Sequence, residues 1–172
     1  MKTVLWVGNP QPTHVATSAL PEETTLIWFY DDSRPFDQSM NEASFVTIAI
    51  PASLSTLCSR GRIMDTLRQR EPEAVVIFLP DIHSTGEESL LERQCQYVQV
   101  WVVGFVDVAQ TALGLMRSRG FGELRIIVPT SATQVTGDPV VKGCEAFVRT
   151  WVASVSECLE ADITVTIDVL KL

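Results

Sequence analysis

Apolar positions along the chain fall into two kinds of run. Six runs are short and nearly continuous: Thr3–Gly8, Thr24–Tyr30, Ser44–Ile50, Glu73–Pro80, Glu123–Pro129 and Asp162–Leu170. Runs of this length and density predict strands of a parallel sheet whose two faces are both covered. Three longer runs have helical spacing: Ser53–Gln69, Glu87 to about Ser118, and Asp138 to about Glu160. The first of these carries Leu54, Leu57, Cys58, Ile63, Met64 and Leu67, with Gly61 expected to bend or weaken it. The second is apolar almost all round, through Val98, Val100, Trp101, Val102, Val103, Phe105, Val106 and Val108. The third opens with Asp138 as a candidate N-cap and Pro139 at the first helical position.

A helix that is apolar on two sides must be buried on two sides. One side of each long helix packs on the sheet, and no further helix is left to cover the other. An oligomer interface is therefore expected, with Val98, Trp101, Val102, Phe105, Val106, Ala109, Val141, Phe147, Val148 and Trp151 as its candidates. The plainer alternative is that β-branched residues there tolerate partial exposure.

The crossovers in the first half look eroded. "NPQPTHVATSALPEE" holds three prolines and leaves room for two helical turns at most, around Thr13–Ala19. "DDSRPFDQSMNEA" lacks helical periodicity. No repeat or linker divides the chain, so residues 1–172 are read as one degenerate Rossmann-like α/β domain, a doubly wound parallel sheet of about six strands.

Composition narrows the function. A net charge of −8 without a basic cluster argues against nucleic acid and anionic membranes as partners. The most apolar stretch, "YVQVWVVGFVDVAQTALGLM", is interrupted by Gln99, Asp107 and Gln110, so no membrane span is expected. Met1–Val7 lacks a signal-peptide pattern, which predicts a cytoplasmic protein. Cys58, Cys95, Cys144 and Cys158 are widely spaced, and with only two histidines they predict buried reduced thiols and no metal site.

The last two segments carry a resemblance. "VQVWVVGFVDVAQTALGLMRSRGFGELRIIVPTSA" and "GDPVVKGCEAFVRTWVASVSECLEADITVTIDVL" are similar to the long helix, serine strand and tyrosine/lysine helix of short-chain dehydrogenases/reductases. The resemblance runs from about Ser44 to Leu170 and implies a sheet ordered 3-2-1-4-5-6. Its functional positions are degraded. The family's glycine-rich cofactor turn is "GNPQPTH" here, with only Gly8 left and two prolines that remove donors. "LPDI" stands at Leu79–Ile82 in place of "NNAG", and Trp101 or a neighbour stands at the structural asparagine. The catalytic serine falls at Thr130 or Ser131 and the tyrosine at Asp138; Lys142 alone is kept. The cofactor-selecting acid would fall at Asp31 or Asp32, which also read as a loop start. The family's lid, seventh strand and last helix have no counterpart in the sequence.

An aspartate beside a lysine is driven toward its charged form and cannot replace a proton-donating tyrosine. The resemblance therefore implies a non-catalytic subunit that binds no cofactor itself. It would pair with an active, NAD(P)-bearing homologue as a heterodimer or heterotetramer, or with itself as a homodimer. The structural half of polyketide synthase ketoreductases is a similar bracing device. A repurposed acid–base site at Asp81, His83, Ser131, Asp138 and Lys142 is the enzymatic alternative. "STGEE" near His83 also reads as a helix cap.

Overall fold

In the computed structural model the described residues are 2–8, 24–31, 46–80, 82, 89–129 and 138–170. They form β1 (Lys2–Val7), β2 (Thr24–Tyr30), β3 (Val46–Pro51), β4 (Ala74–Phe78), β5 (Gly122–Pro129) and β6 (Ile163–Leu170). The helices are α1 (Leu57–Arg70), α2 (Leu90–Val98), a π-helical segment (Gln99–Gly104), α3 (Phe105–Arg119) and α4 (Pro139–Ser156). The six strands make one parallel sheet in the order β3-β2-β1-β4-β5-β6, as the resemblance implied. The expected short or missing first crossover helices lie outside the described residues.

The described helices pack on one face of the sheet. Leu5, Ile27, Val75, Ile77, Leu124 and Ile126 point into that face and share one core with Ile63, Leu67, Phe105, Val108, Val141 and Val148. The other face carries Val4, Trp6, Leu26, Trp28, Val76 and Phe78, a separate apolar cluster rich in aromatic rings. Over β5 and β6 that second face turns polar. Arg125 and Asp168 form an ion pair there, and Thr164 and Thr166 share the same side by alternation.

α2, the π-helical segment and α3 run on as one helix, Leu90–Arg119. By length and composition it is apolar enough to cross a membrane, so the expectation that no stretch reaches that threshold is corrected. Its inward side belongs to the chain's own core. Tyr97, Trp101, Phe105, Ala109 and Leu113 recur every fourth residue and are all buried, as are Val100, Gly104, Val108, Ala112 and Met116. An α-helix overshoots by about 40° every four residues, which would wind such a series off the sheet. The wider π-helical segment, closed by i→i+5 bonds, offsets that drift.

Gly104 is the residue that lets this helix approach α1's entry loop. A Cβ there would lie 2.3 Å from the Leu54 carbonyl oxygen. Buried Arg60 donates from Nη1 to the carbonyls of Leu54 and Ser55 at 3.1 and 3.4 Å. Its Nε sits 2.9 Å from the Asp107 carboxylate, an ion pair whose alignment is too poor for a hydrogen bond. Asp107, which interrupts the apolar run in sequence, thus ties α3 to α1.

Burial in the chain's own core corrects the interface set. Trp101, Phe105, Ala109, Val141 and Val148 each have zero exposure in the chain's own core and cannot contact a partner in this fold. Val98 is exposed, and Val102, Val106, Phe147 and Trp151 are half-buried at the margin. The thiol expectation is also corrected: only Cys144 is buried, while Cys58, Cys95 and Cys158 are exposed and free, because they fall on outward helix positions or at the end of α4.

Candidate functional site

In a parallel α/β sheet the carboxyl ends of the strands form the ligand crevice. Here that end is built from Gly8 after β1, Leu79–Pro80 and Ile82 after β4, the start of α2, and Asp138 before α4.

Gly8 has φ +104°, and a Cβ on it would lie 2.4 Å from the Phe78 carbonyl oxygen. Its glycine is needed so that β1 can pass the end of β4. Its amide donates to the Phe29 carbonyl at 2.8 Å. Its carbonyl accepts two indole N–H bonds, from Trp6 at 3.1 Å and Trp28 at 3.0 Å. Those two tryptophans are register partners on β1 and β2, so their rings stand side by side on the second face. Gly8, the one glycine that the resemblance leaves of the family's cofactor turn, thus has its carbonyl engaged by the chain's own side chains.

The end of β4 is held in the same way. The Trp101 indole donates to the Pro80 carbonyl at 2.9 Å, and the Tyr97 hydroxyl accepts from the Ile82 amide at 3.1 Å. Both side chains are fully buried, and their rings lie 5.9 Å apart at 56°. They come from successive turns of one helix and pin the backbone on either side of position 81. Trp101, expected to have lost the polar role of an asparagine, has a polar role of another kind.

Asp138 is the N-cap of α4. Its side chain is 4% exposed and accepts from the Val140 amide at 2.8 Å. The Gln94 side-chain amide donates to both carboxylate oxygens, at 3.3 and 3.4 Å, and Arg93 Nη2 lies 3.7 Å away. Burial pushes this carboxyl up. The amide of Val140, the side chain of Gln94, the amide of Val141 and the Arg93 charge outweigh burial and leave it below its ordinary value. Asp138 is therefore a charged acceptor that ties α2 to α4. Burial, with the Asp138 charge adding to it, raises the Cys144 thiol.

Lys142 is exposed, and its described link to Asp138 is the helical bond from its own amide to the Asp138 carbonyl. The structure thus separates the two side chains that the sequence placed one turn apart. Thr130, Ser131, Asp32, Asp81 and His83 lie outside the described residues. Asp31 follows β2, half-buried. The helix expected to be capped near "STGEE" is capped at Ser89 instead. The Ser89 hydroxyl accepts from the Glu92 amide and the Glu92 carboxylate accepts from the Ser89 amide, which holds the Glu92 carboxyl below its ordinary value. Among the described residues no cluster of His, Cys, Asp and Glu has the arrangement of a metal site.

Sequence reasoning missed Arg93, Gln94, Tyr97, Trp6 and Trp28. Tyr97 and Trp101 carried a readable signal, two aromatic residues four apart on one helical run. The other contacts depend on strand register and helix–helix docking, which no local spacing reveals.

No protein-family model matches this chain, and no curated protein matches it by sequence. Solved structures do match in fold. The bulky-bulky ketone specific alcohol dehydrogenase from Comamonas testosteroni is 12% identical with a TM-score of 0.72, over 99% of this chain and 73% of its own. The 3-oxoacyl (acyl-carrier-protein) reductase from Agrobacterium tumefaciens C58, solved with NADP bound, is 16% identical with a TM-score of 0.72, over 99% and 70%. A putative short-chain dehydrogenase/reductase from Burkholderia xenovorans gives 15% and 0.70, over 99% and 71%. The chain has the short-chain dehydrogenase/reductase fold, across roughly the share of those proteins' length that its six parallel strands and helices span.

Proposed function

We propose that this chain is a non-catalytic, cytoplasmic subunit that pairs with an active NAD(P)H-dependent ketoreductase or hydroxyacyl dehydrogenase of the same fold. The nicotinamide cofactor resides in the partner, and this chain braces the complex. The observation that carries the reading is the state of Asp138. The resemblance puts the family's proton-donating tyrosine at this position, and the aspartate here is buried, charged and committed to Val140, Gln94 and Arg93. The two indoles on Gly8 and the Trp101–Pro80 bond support the same reading at the cofactor end.

The pairing surface is the outward side of the long helix. Leu91, Cys95, Val98 and Val102 follow one another at helical spacing, and the first three are exposed. Val103, at 39% exposure, widens the stripe, with half-buried Phe147 and Trp151 of α4 at its margin. An apolar stripe of this length on a helix already packed on its other side is suited to a helix–helix interface.

Coexpression with a short-chain reductase of the same host tests this. The two chains should copurify, and Val102→Glu should abolish the complex while leaving this chain folded. A reductase that assembles fully active alone and never retains this chain removes the proposal.

A further inference from the structure

We propose that α2 is an arm hinged at the π-helical segment and latched onto α4 by Asp138, and that this latch sets the line of the outward apolar stripe. The arm is the nine-residue helix Leu90–Val98, which caps its own start through Ser89 and Glu92. Tyr97, near its far end, is its buried residue, and Leu90 and Leu91 are 60% and 68% exposed. α3, beyond the π-helical segment, is held differently, with Phe105, Val108, Ala109, Ala112, Leu113 and Met116 all in the core. A helix with so little buried apolar surface opens at lower free-energy cost than the core helix it runs into.

The hinge follows the arm directly. Gln99–Gly104 is closed by i→i+5 bonds, and π-helical turns are places where long helices bend. Tyr97 anchors the hinge end, its hydroxyl accepting from the Ile82 amide at 3.1 Å. Arg93 and Gln94 lie one turn earlier on the same side of the helix. Gln94 donates to the two Asp138 oxygens at 3.3 and 3.4 Å, and Arg93 Nη2 stands 3.7 Å from the same carboxylate.

These contacts have the character of a reversible latch. Both Gln94 bonds are long, the Arg93 charge stands off from the carboxylate, and Arg93 Nε is buried with no hydrogen-bond partner among the described residues. Opening returns that donor to water, which offsets part of what the broken contacts contributed. Asp138 keeps its own cap when the arm opens, because the Val140 amide donates to it at 2.8 Å from within α4. Leu91, Cys95 and Val98 ride on the arm's exposed side, and Val102 of the π-helical segment continues their series. The consequence for pairing rests on the function proposed above: the closed latch holds these three residues in line with Val102, and the open latch uncouples them.

Native-state amide exchange on the full chain tests this. The wild type is compared with the double variant Arg93→Ala/Gln94→Ala, which empties the latch and leaves the Asp138 cap on Val140 in place. After correction for intrinsic rates, exchange at Cys95–Val98 should rise about tenfold, while Ala109–Met116 stay as slow as in the wild type. Unchanged exchange at Cys95–Val98 overturns the proposal. So does an equal rise in α3, which is global loosening and no hinge. A reductase that copurifies with the wild type should be retained about tenfold less by the double variant. Equal retention overturns the link between latch and stripe. A wild type that retains no reductase defeats the pairing reading alone, and the exchange rates still decide the latch.

Discussion

The two faces of the sheet were filled by different means. On the helical face, aliphatic strand residues such as Leu5, Ile77 and Ile126 meet one layer of helices in one continuous core. On the opposite face, β1, β2 and β4 carry tryptophan and phenylalanine, whereas β5 and β6 carry Arg125 and Asp168. The helical face keeps the packing of the dehydrogenase fold. On the opposite face the indoles of Trp6 and Trp28 both donate to the Gly8 carbonyl. The two faces thus differ in what stabilises them: aliphatic packing against helices on one, aromatic rings and hydrogen bonds to backbone on the other.

This contrast can be broken most severely on the helical side. Trp101→Ala removes a fully buried ring, its partner Tyr97 contact and the donor to Pro80. A loss of about 3–5 kcal/mol in denaturant unfolding is expected. The opposite face should respond more gently and in a coupled way. Trp6→Phe or Trp28→Phe leaves one indole on the Gly8 carbonyl and should cost about 1 kcal/mol or less. The double variant leaves that carbonyl without either donor and should cost more than the sum of the singles, which a double-mutant cycle measures.

Asp138→Asn comes next, at about 1 kcal/mol near pH 7, because the N-cap oxygen is kept while the charge that meets Arg93 is lost. The lowered carboxyl also sets a pH signature. The folded state binds its proton less readily than the unfolded chain, so the stabilisation is present above about pH 4 and disappears as the pH falls through the acid range. Stability-against-pH curves should be flatter at their acid end in the asparagine variant. Arg125→Ala is the mildest, about 0–1 kcal/mol, since the ion pair with Asp168 is partly exposed and screened.

The strands were legible in the sequence because a buried parallel strand is a short, dense apolar run, and the ends of all six moved by two residues or fewer. The Glu73–Pro80 run gave up its last two residues to the segment that Trp101 and Tyr97 pin. The start of α4 was legible because Asp138 and Pro139 are local signals. The long helix was legible as a helix and misread as to its faces. A repeat of four looks apolar all round when projected at 3.6 residues per turn, and only the π-helical segment shows that Trp101, Phe105 and Ala109 point inward together. At the site, Asp138 was found from sequence and its partners were not. Lys142 was near in sequence, whereas Gln94 and Arg93 reach it from another helix.

We propose that this chain binds no nicotinamide cofactor, a reading supported by the engagement of the Gly8 and Pro80 carbonyls by Trp6, Trp28 and Trp101. Calorimetric titration of the purified chain with NADPH and NADH tests it most directly. The account predicts no saturable heat with either cofactor, in the wild type and in Trp101→Phe alike. Tight, saturable binding of a nicotinamide nucleotide by this chain alone would contradict it.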